Sequence, residues 1–266
     1  MKKKRTIITT LILIVFLGVT VFSFSPEKSV VKMIHYIDKN EINNLDSYSN
    51  NNKSIDKLKY SFLVIPEAYN PTVLEYACSN ENLDAIKVLL ANGANPNNPK
   101  GIPPLFATFY YSSRTKSFEI IDILIENGVD LNNKFQNSNV LHFLIEEMLY
   151  NRRSSNEIFE YIRTLIEKYN VDYKNCSYWG NLINDSALYG NFELLDYFLN
   201  EKNISLNEVN EQGNSALHYA VFGRKVESVK YLLELGIDRY ILNNEKMSPY
   251  DIAVKYGYQD IIDLLK

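Results

Sequence analysis

The chain has 266 residues, 46% hydrophobic and 23% charged, a balance that excludes wholesale disorder. Lys and Arg total 28 against 32 Asp and Glu, and the net charge of −4 excludes a binder that tracks nucleic-acid phosphates. Two cysteines and three scattered histidines exclude a disulfide framework and a multi-histidine metal centre.

Residues 1–5 read Met-Lys-Lys-Lys-Arg, and residues 7–24 carry no charge. A basic cluster ahead of an apolar run is the pattern of a signal peptide or a signal anchor. As a helix the run extends ~27 Å, just under a hydrocarbon core of ~30 Å. The exit Ser23-Phe24-Ser25 is followed directly by Pro26, a poor cleavage context, so residues 1–25 read first as an uncleaved single-pass anchor. Cleavage and secretion is the alternative. With the basic end inside, residues 26–266 are expected outside the cytoplasm, in the periplasm if the cell has two membranes. Residues 26–66 read as a spacer and a degenerate N-terminal capping repeat. Met33, Ile34 and Ile37 with Ile42 and Leu45 supply its apolar positions.

From residue 67 to 266 one pattern recurs. Its fullest copy is Ser215-Ala216-Leu217-His218-Tyr219-Ala220, then Val226 to Leu233, then Gly236-Ile237-Asp238. The anchors Leu74, Leu105, Leu141, Ile183, Leu217 and Tyr250 mark six copies, spaced by 31, 36, 42, 34 and 33 residues. Each copy has two stretches with apolar residues three and four apart, which predicts two amphipathic helices. Stacking neighbours buries the stripes of both. Ala77, Thr108, Ser186, Ala220 and Ala253 provide a small position for close helix approach, and Leu144 departs from it in the third copy. Asn and Gly crowd the connectors, as in 95–98 and 210–214, where tight turns need left-handed backbone.

The period and these residues resemble the ankyrin repeat family, with its Thr-Pro-Leu-His-x-Ala signature. The resemblance implies an all-α solenoid of helix-turn-helix repeats with short finger connectors, and a module that binds protein. It also implies that partners are met through fingers and first helices. The fingers here carry Phe135, Tyr173, Tyr178, Trp179 and Tyr240. Trp179 stands where the fullest copy has Gly213, so its finger is expected either to be reshaped or to display the ring.

Two copies are lengthened between their helices, by 110–116 in the second and 150–155 in the third. Tyr and Arg dominate protein–protein hot spots, which makes Tyr110, Tyr111, Arg114, Tyr150, Arg152 and Arg153 a second candidate surface. Surface-loop insertions are also tolerated without function.

No nucleophile elbow, phosphate loop, dinucleotide fingerprint or His-Glu-x-x-His occurs, so no catalytic residue and no cofactor or metal is assigned. His142 and His218 fall at the signature histidine, for which the resemblance implies a structural role. Cys78 and Cys176 lie three copies apart and are expected to be free thiols. The expectation is a monomeric, non-enzymatic, extracytoplasmic module that binds and blocks one protein partner, as an immunity protein blocks an envelope-directed toxin. An envelope scaffold for a resident enzyme or stress response is one alternative. A secreted, host-directed effector is the other.

Overall fold

The computed structural model describes residues 28–51, 72–98, 102–110, 115–148, 154–177 and 180–266. The apolar run at 7–24, and the anchor expected there, lie outside the described residues. Among the described residues no helix is long and apolar enough to cross a membrane. The chain divides into two compact units, Met1–Asp130 and Leu131–Lys266.

Among the described residues the first unit holds three helix pairs: α1 (Lys28–Asp38) with α2 (Ile42–Asn50), α3 (Val73–Ser79) with α4 (Leu83–Ala91), and α5 (Pro104–Tyr110) with α6 (Ser117–Glu126). The α1–α2 pair buries Met33, Ile37 and Leu45. It is tied to the next pair where Tyr76 donates to Asp38 at 2.7 Å and Asn92 donates to Asp46 at 3.0 Å.

Among its described residues the second unit holds four pairs. These are α7 (Val140–Met148) with α8 (Ser155–Tyr169), α9 (Leu182–Tyr189) with α10 (Phe192–Asp196), α11 (Ala216–Phe222) with α12 (Val226–Glu234), and α13 (Pro249–Tyr256) with α14 (Gln259–Leu265). α10 runs on as a π-helical turn, Tyr197–Glu201. Among the described residues no β-strand forms, only isolated bridges in the connectors.

Capping at the signature position starts several first helices. Thr72 and Glu75, and likewise Ser248 and Asp251, form reciprocal capping boxes that satisfy two otherwise orphaned backbone donors each. Asn181 caps α9 by accepting from the Asn184 amide. Five anchors are buried: Leu74, Leu105, Leu141, Ile183 and Leu217. Each such side chain contributes about 1.5–3 kcal/mol through apolar area removed from water. The sixth, Tyr250, is 36% exposed, and the last copy buries Pro249, Ile252 and Ala253 instead. All five small positions are fully buried, as is Leu144.

Two departures from the 33-residue period have local causes. The extra residues of the third copy do not all form a loop. α8 has 15 residues where α12 has 9, and Ser154, read from sequence as part of the insertion, caps it through Glu157. Its buried side, Ile158, Ile162, Leu165 and Ile166, keeps the spacing of a one-sided helix. The spacing of 34 between Ile183 and Leu217 has a different origin. Twelve residues separate Phe192 from Ile204, against eleven from Val226 to Ile237, and the surplus one falls where the π turn forms. A single residue inserted into an α-helix is accommodated in this way.

Candidate partner-binding site

The fingers of the second unit are built by short hydrogen-bonded turns. In the finger before α7, Phe135 and Ser138 exchange both backbone bonds, at 2.9 and 3.0 Å, with Gln136 and Asn137 at φ of 52° and 63° between them. Two central residues of positive φ are the mark of a type I′ turn. The finger before α9 closes in the same way through Ser177 and Gly180. The finger before α11 closes differently. Asn210 donates to Asn214 across the tip, and the Gly213 amide returns to Asn210.

The finger carrying Trp179 is therefore reshaped relative to the fullest copy. Its left-handed glycine is Gly180, at φ 107°, one place along from the position that matches Gly213. A side chain at Gly180 would be strained by that φ, and its β-carbon would stand 3.0 Å from the β-carbon of Asn210 in the next finger, which would have to yield.

Asparagines then tie finger to finger. Asn132 accepts from the Asp172 amide at 2.7 Å, and Asn139 donates to the Asp172 carbonyl at 2.7 Å. Asn207 accepts from the Asp238 amide at 2.8 Å, and Asn244 donates to the Glu211 carbonyl at 2.9 Å. The first unit repeats the device with Asn97, which accepts from the Asp130 amide and donates to the Gly128 carbonyl. Of these asparagines, sequence reading assigned only Asn97 and Asn244 to connectors where tight turns need left-handed backbone. The recurrence of the whole set about one period apart was the available sign of a ladder.

Between the fingers before α7, α9 and α11 lies a polar groove of about 420 Å³. Lys134 and Lys174 come from the first two fingers, and Glu208 and Glu211 from the third. All four are exposed, and none of their side chains forms an ion pair or hydrogen bond among the described residues. Asn181 lines the same groove and is 5% exposed. Its carbonyl oxygen is committed to the Asn184 amide, while its side-chain nitrogen has no partner among the described residues.

The candidate residues read from sequence divide unevenly over this frame. Phe135 is half-buried within its turn. Tyr173 is half-buried and stacks on fully buried Phe198, with centroids 5.6 Å apart and planes 24° apart, so its ring supports the finger base. Tyr240 is 75% exposed. Tyr110 ends α5. Tyr178, Trp179, Tyr111, Arg114, Tyr150, Arg152 and Arg153 lie outside the described residues. Sequence reading singled out aromatic residues and arginines and did not identify the lysines, glutamates and Asn181 that line the groove.

Behind the fingers the two signature histidines have distinct partners. His218 accepts from the Ser215 amide at 3.1 Å through Nδ1, and its Nε2 lies 3.2 Å from the Met247 carbonyl. A carbonyl can only accept, so Nε2 carries the proton. Burial holds this histidine below its ordinary pKa, partly offset by the Met247 bond. His142 instead sets Nδ1 2.9 Å from the fully buried carboxylate of Asp185, which also accepts from Ser177 at 3.1 Å. Burial opposes its charge, but the bond and charge of Asp185, together with Glu146, outweigh it and raise its pKa.

Neither cysteine is placed as a reactive nucleophile. Cys78 and Cys176 are free and buried, and burial pushes both thiols up, away from the reactive thiolate. Among the described residues no cluster of His, Cys, Asp and Glu has the arrangement to hold a metal ion.

A family model described as ankyrin repeats (3 copies) matches residues 74–177, 148–243 and 183–266. The chain is 41% identical over 80 residues to the human NAD-capped RNA hydrolase NUDT12, covering 30% of this chain and 17% of that protein. It is 23% identical over 246 residues to the putative ankyrin repeat protein FPV022 of fowlpox virus, covering 75% of this chain and 42% of that protein. The chain thus spans less than half the length of these curated relatives.

Among solved structures, the human ASB11 ankyrin repeat domain superposes with a TM-score of 0.62 at 18% identity, covering 88% of this chain and 95% of that one. A chain in the complex of the predatory endopeptidase Bd0816 of Bdellovibrio bacteriovorus with immunity protein Bd3460 gives 0.56 at 20% identity, covering 72% and 95%. At such identities these two likenesses establish the fold.

Proposed function

The chain belongs to the ankyrin-repeat family, and from that premise we propose that it is a membrane-tethered, extracytoplasmic module that binds and blocks one protein partner. The supporting observation is the finger groove of the second unit, whose two lysines and two glutamates are exposed and form no ion pair or hydrogen bond through their side chains among the described residues. Polar groups left so exposed cost little in the free protein and become available to a ligand. Exposed Tyr240 and the sequence-adjacent Tyr178 and Trp179 extend the proposed contact surface. Aromatic anchors of this kind are worth on the order of 2–4 kcal/mol when truncated.

The basic cluster and uncharged run at 1–24 support tethering, with residues 26–266 outside the cytoplasm. Blocking by occlusion is the action we assign, as for an immunity protein. It asks for a surface and no catalytic group.

Two measurements test this reading. A reporter enzyme active only outside the cytoplasm, fused after Lys266, should be active, and should lose activity when residues 7–24 are deleted. The full-length chain, captured from its own membranes in mild detergent, should retain one stoichiometric partner whose lytic activity falls on binding. A partner that keeps its activity in the complex would replace blocking with scaffolding.

A further inference from the structure

The groove is not evenly charged. Its cations stand on the fingers before α7 and α9, and its anions on the finger before α11. A partly buried cleft with cations at one end and anions at the other sorts ligands by the order of their own charges, since like charges brought together are penalised. Val209, 43% exposed, is its one large apolar lining side chain among the described residues.

Asn181 adds a directional element. Its side-chain nitrogen has no partner among the described residues and is not sealed from solvent, so it is available to donate to an acceptor on a ligand. An extended polypeptide supplies carbonyl acceptors at every residue.

We propose that this groove holds an extended, polar segment of the partner protein, with an acidic side chain toward Lys134 and Lys174, a basic side chain toward Glu208 and Glu211, and a backbone carbonyl on Asn181. This rests on the reading of the chain as a protein-binding module and specifies the chemistry of what it binds. Neighbouring repeats stack ~10 Å apart, so the two charge pairs are one to two steps, ~10–20 Å, from each other. At ~3.3 Å per extended residue the acidic and basic side chains stand about three to six residues apart.

The test uses the full-length chain in detergent and fluorescein-labelled decapeptides of Gly, Ser and Thr. Each peptide carries one Glu and one Lys at spacings of two to eight, in both orders. Glu-Glu, Lys-Lys and uncharged peptides are the controls, and binding is read by anisotropy.

Mixed-charge peptides in one order should bind best, with an optimum spacing between three and six. The exposed double reversal K134E/K174E should weaken that peptide about tenfold or more and strengthen the Lys-Lys peptide. E208K/E211K should instead strengthen the Glu-Glu peptide. Asn181→Asp, which turns the free donor into an acceptor, should weaken every bound peptide while circular dichroism confirms the fold. Equal binding of uncharged and mixed peptides, no binding by any peptide, or reversals without effect would each overturn the proposal. A captured partner that binds wild type and both reversals alike would overturn the groove but leave the binding module standing. A chain that sorts peptides as expected but captures no partner would do the opposite.

Discussion

His142 and His218 occupy one position of the repeat signature, two copies apart in the same unit, and their surroundings pull them toward opposite charge states. Around His218 every partner is backbone or hydroxyl, namely Ser215 and the Met247 carbonyl. A neutral imidazole satisfies all of them, and burial then holds it uncharged. Around His142 the signature Ser is replaced by Asn139, which turns to the Asp172 carbonyl and the Leu141 amide. That leaves His142 facing Asp185 in the next copy. One repeat motif thus carries either a histidine held neutral or one drawn toward its charged form by a buried carboxylate, and the choice is made by residues outside the motif's own histidine.

The largest test removes the packing that both sites share. Leu217→Asp, or Ala220→Asp, places an unpaired carboxylate at a fully buried position and should unfold the second unit, seen as lost helical circular dichroism. Retained helix and an unchanged melt would mean that the repeat register is misplaced.

Next comes the contact between His142 and Asp185. Asp185→Ala strands His142 and should cost about 3–5 kcal/mol in denaturant unfolding. His218→Ala loses neutral hydrogen bonds and packing at a buried site and should cost less, on the order of 1–3 kcal/mol.

The pH dependence sharpens the contrast because the signs differ. His142 has a raised folded pKa, so its stabilisation is full below the unfolded value of ~6.5 and is lost as pH rises through the folded value. His218 has a lowered one, so it destabilises as pH falls through ~6.5, where the unfolded chain takes up the proton first. Unfolding at pH 5.5, 7 and 8.5 should show His142→Gln flattening the alkaline side of the profile and His218→Gln flattening the acid side. Identical profiles for the two variants would erase the distinction.

A further pH effect is expected in the first unit, where Glu75 stands at the same signature position. Burial raises its carboxyl to about 7 against the bonds from Thr72 and Asn98 that lower it. The folded state therefore keeps a proton that the unfolded state gives up, and stability should fall as pH rises from ~4.5 to ~7. Glu75→Gln should remove that slope. The smallest effect belongs to Arg163, whose contacts with Glu167 and Glu201 are exposed, and Arg163→Ala should leave the melting temperature unchanged within error.

These differences also mark what the amino-acid order discloses. Leu74, Leu105, Leu141, Ile183 and Leu217 were identifiable because a buried anchor repeated in phase leaves a period in the text. Tyr250 shares the phase but not the burial, since the period records position and not what covers it. Ser154 looked like loop because a cap residue and a loop residue have the same composition. The groove was the least visible part. Lys134, Lys174, Glu208 and Glu211 come from three separate connectors with no shared spacing, and only the stacking of fingers brings them to one cleft. Partner-seeking aromatics drew the reading instead, and Tyr173 proved to be supporting its own finger.

The π-helical turn at Tyr197–Glu201 has a wider consequence. A residue added to a continuous helix normally rotates everything after it by about 100°, and here the rotation is cancelled before the chain reaches Ile204. The next copy starts in phase, and Leu217 still meets its core. Each copy therefore corrects its own length before handing the chain on. Such a protein can gain or lose residues copy by copy over time, and the surface it offers can drift while the interior keeps its count.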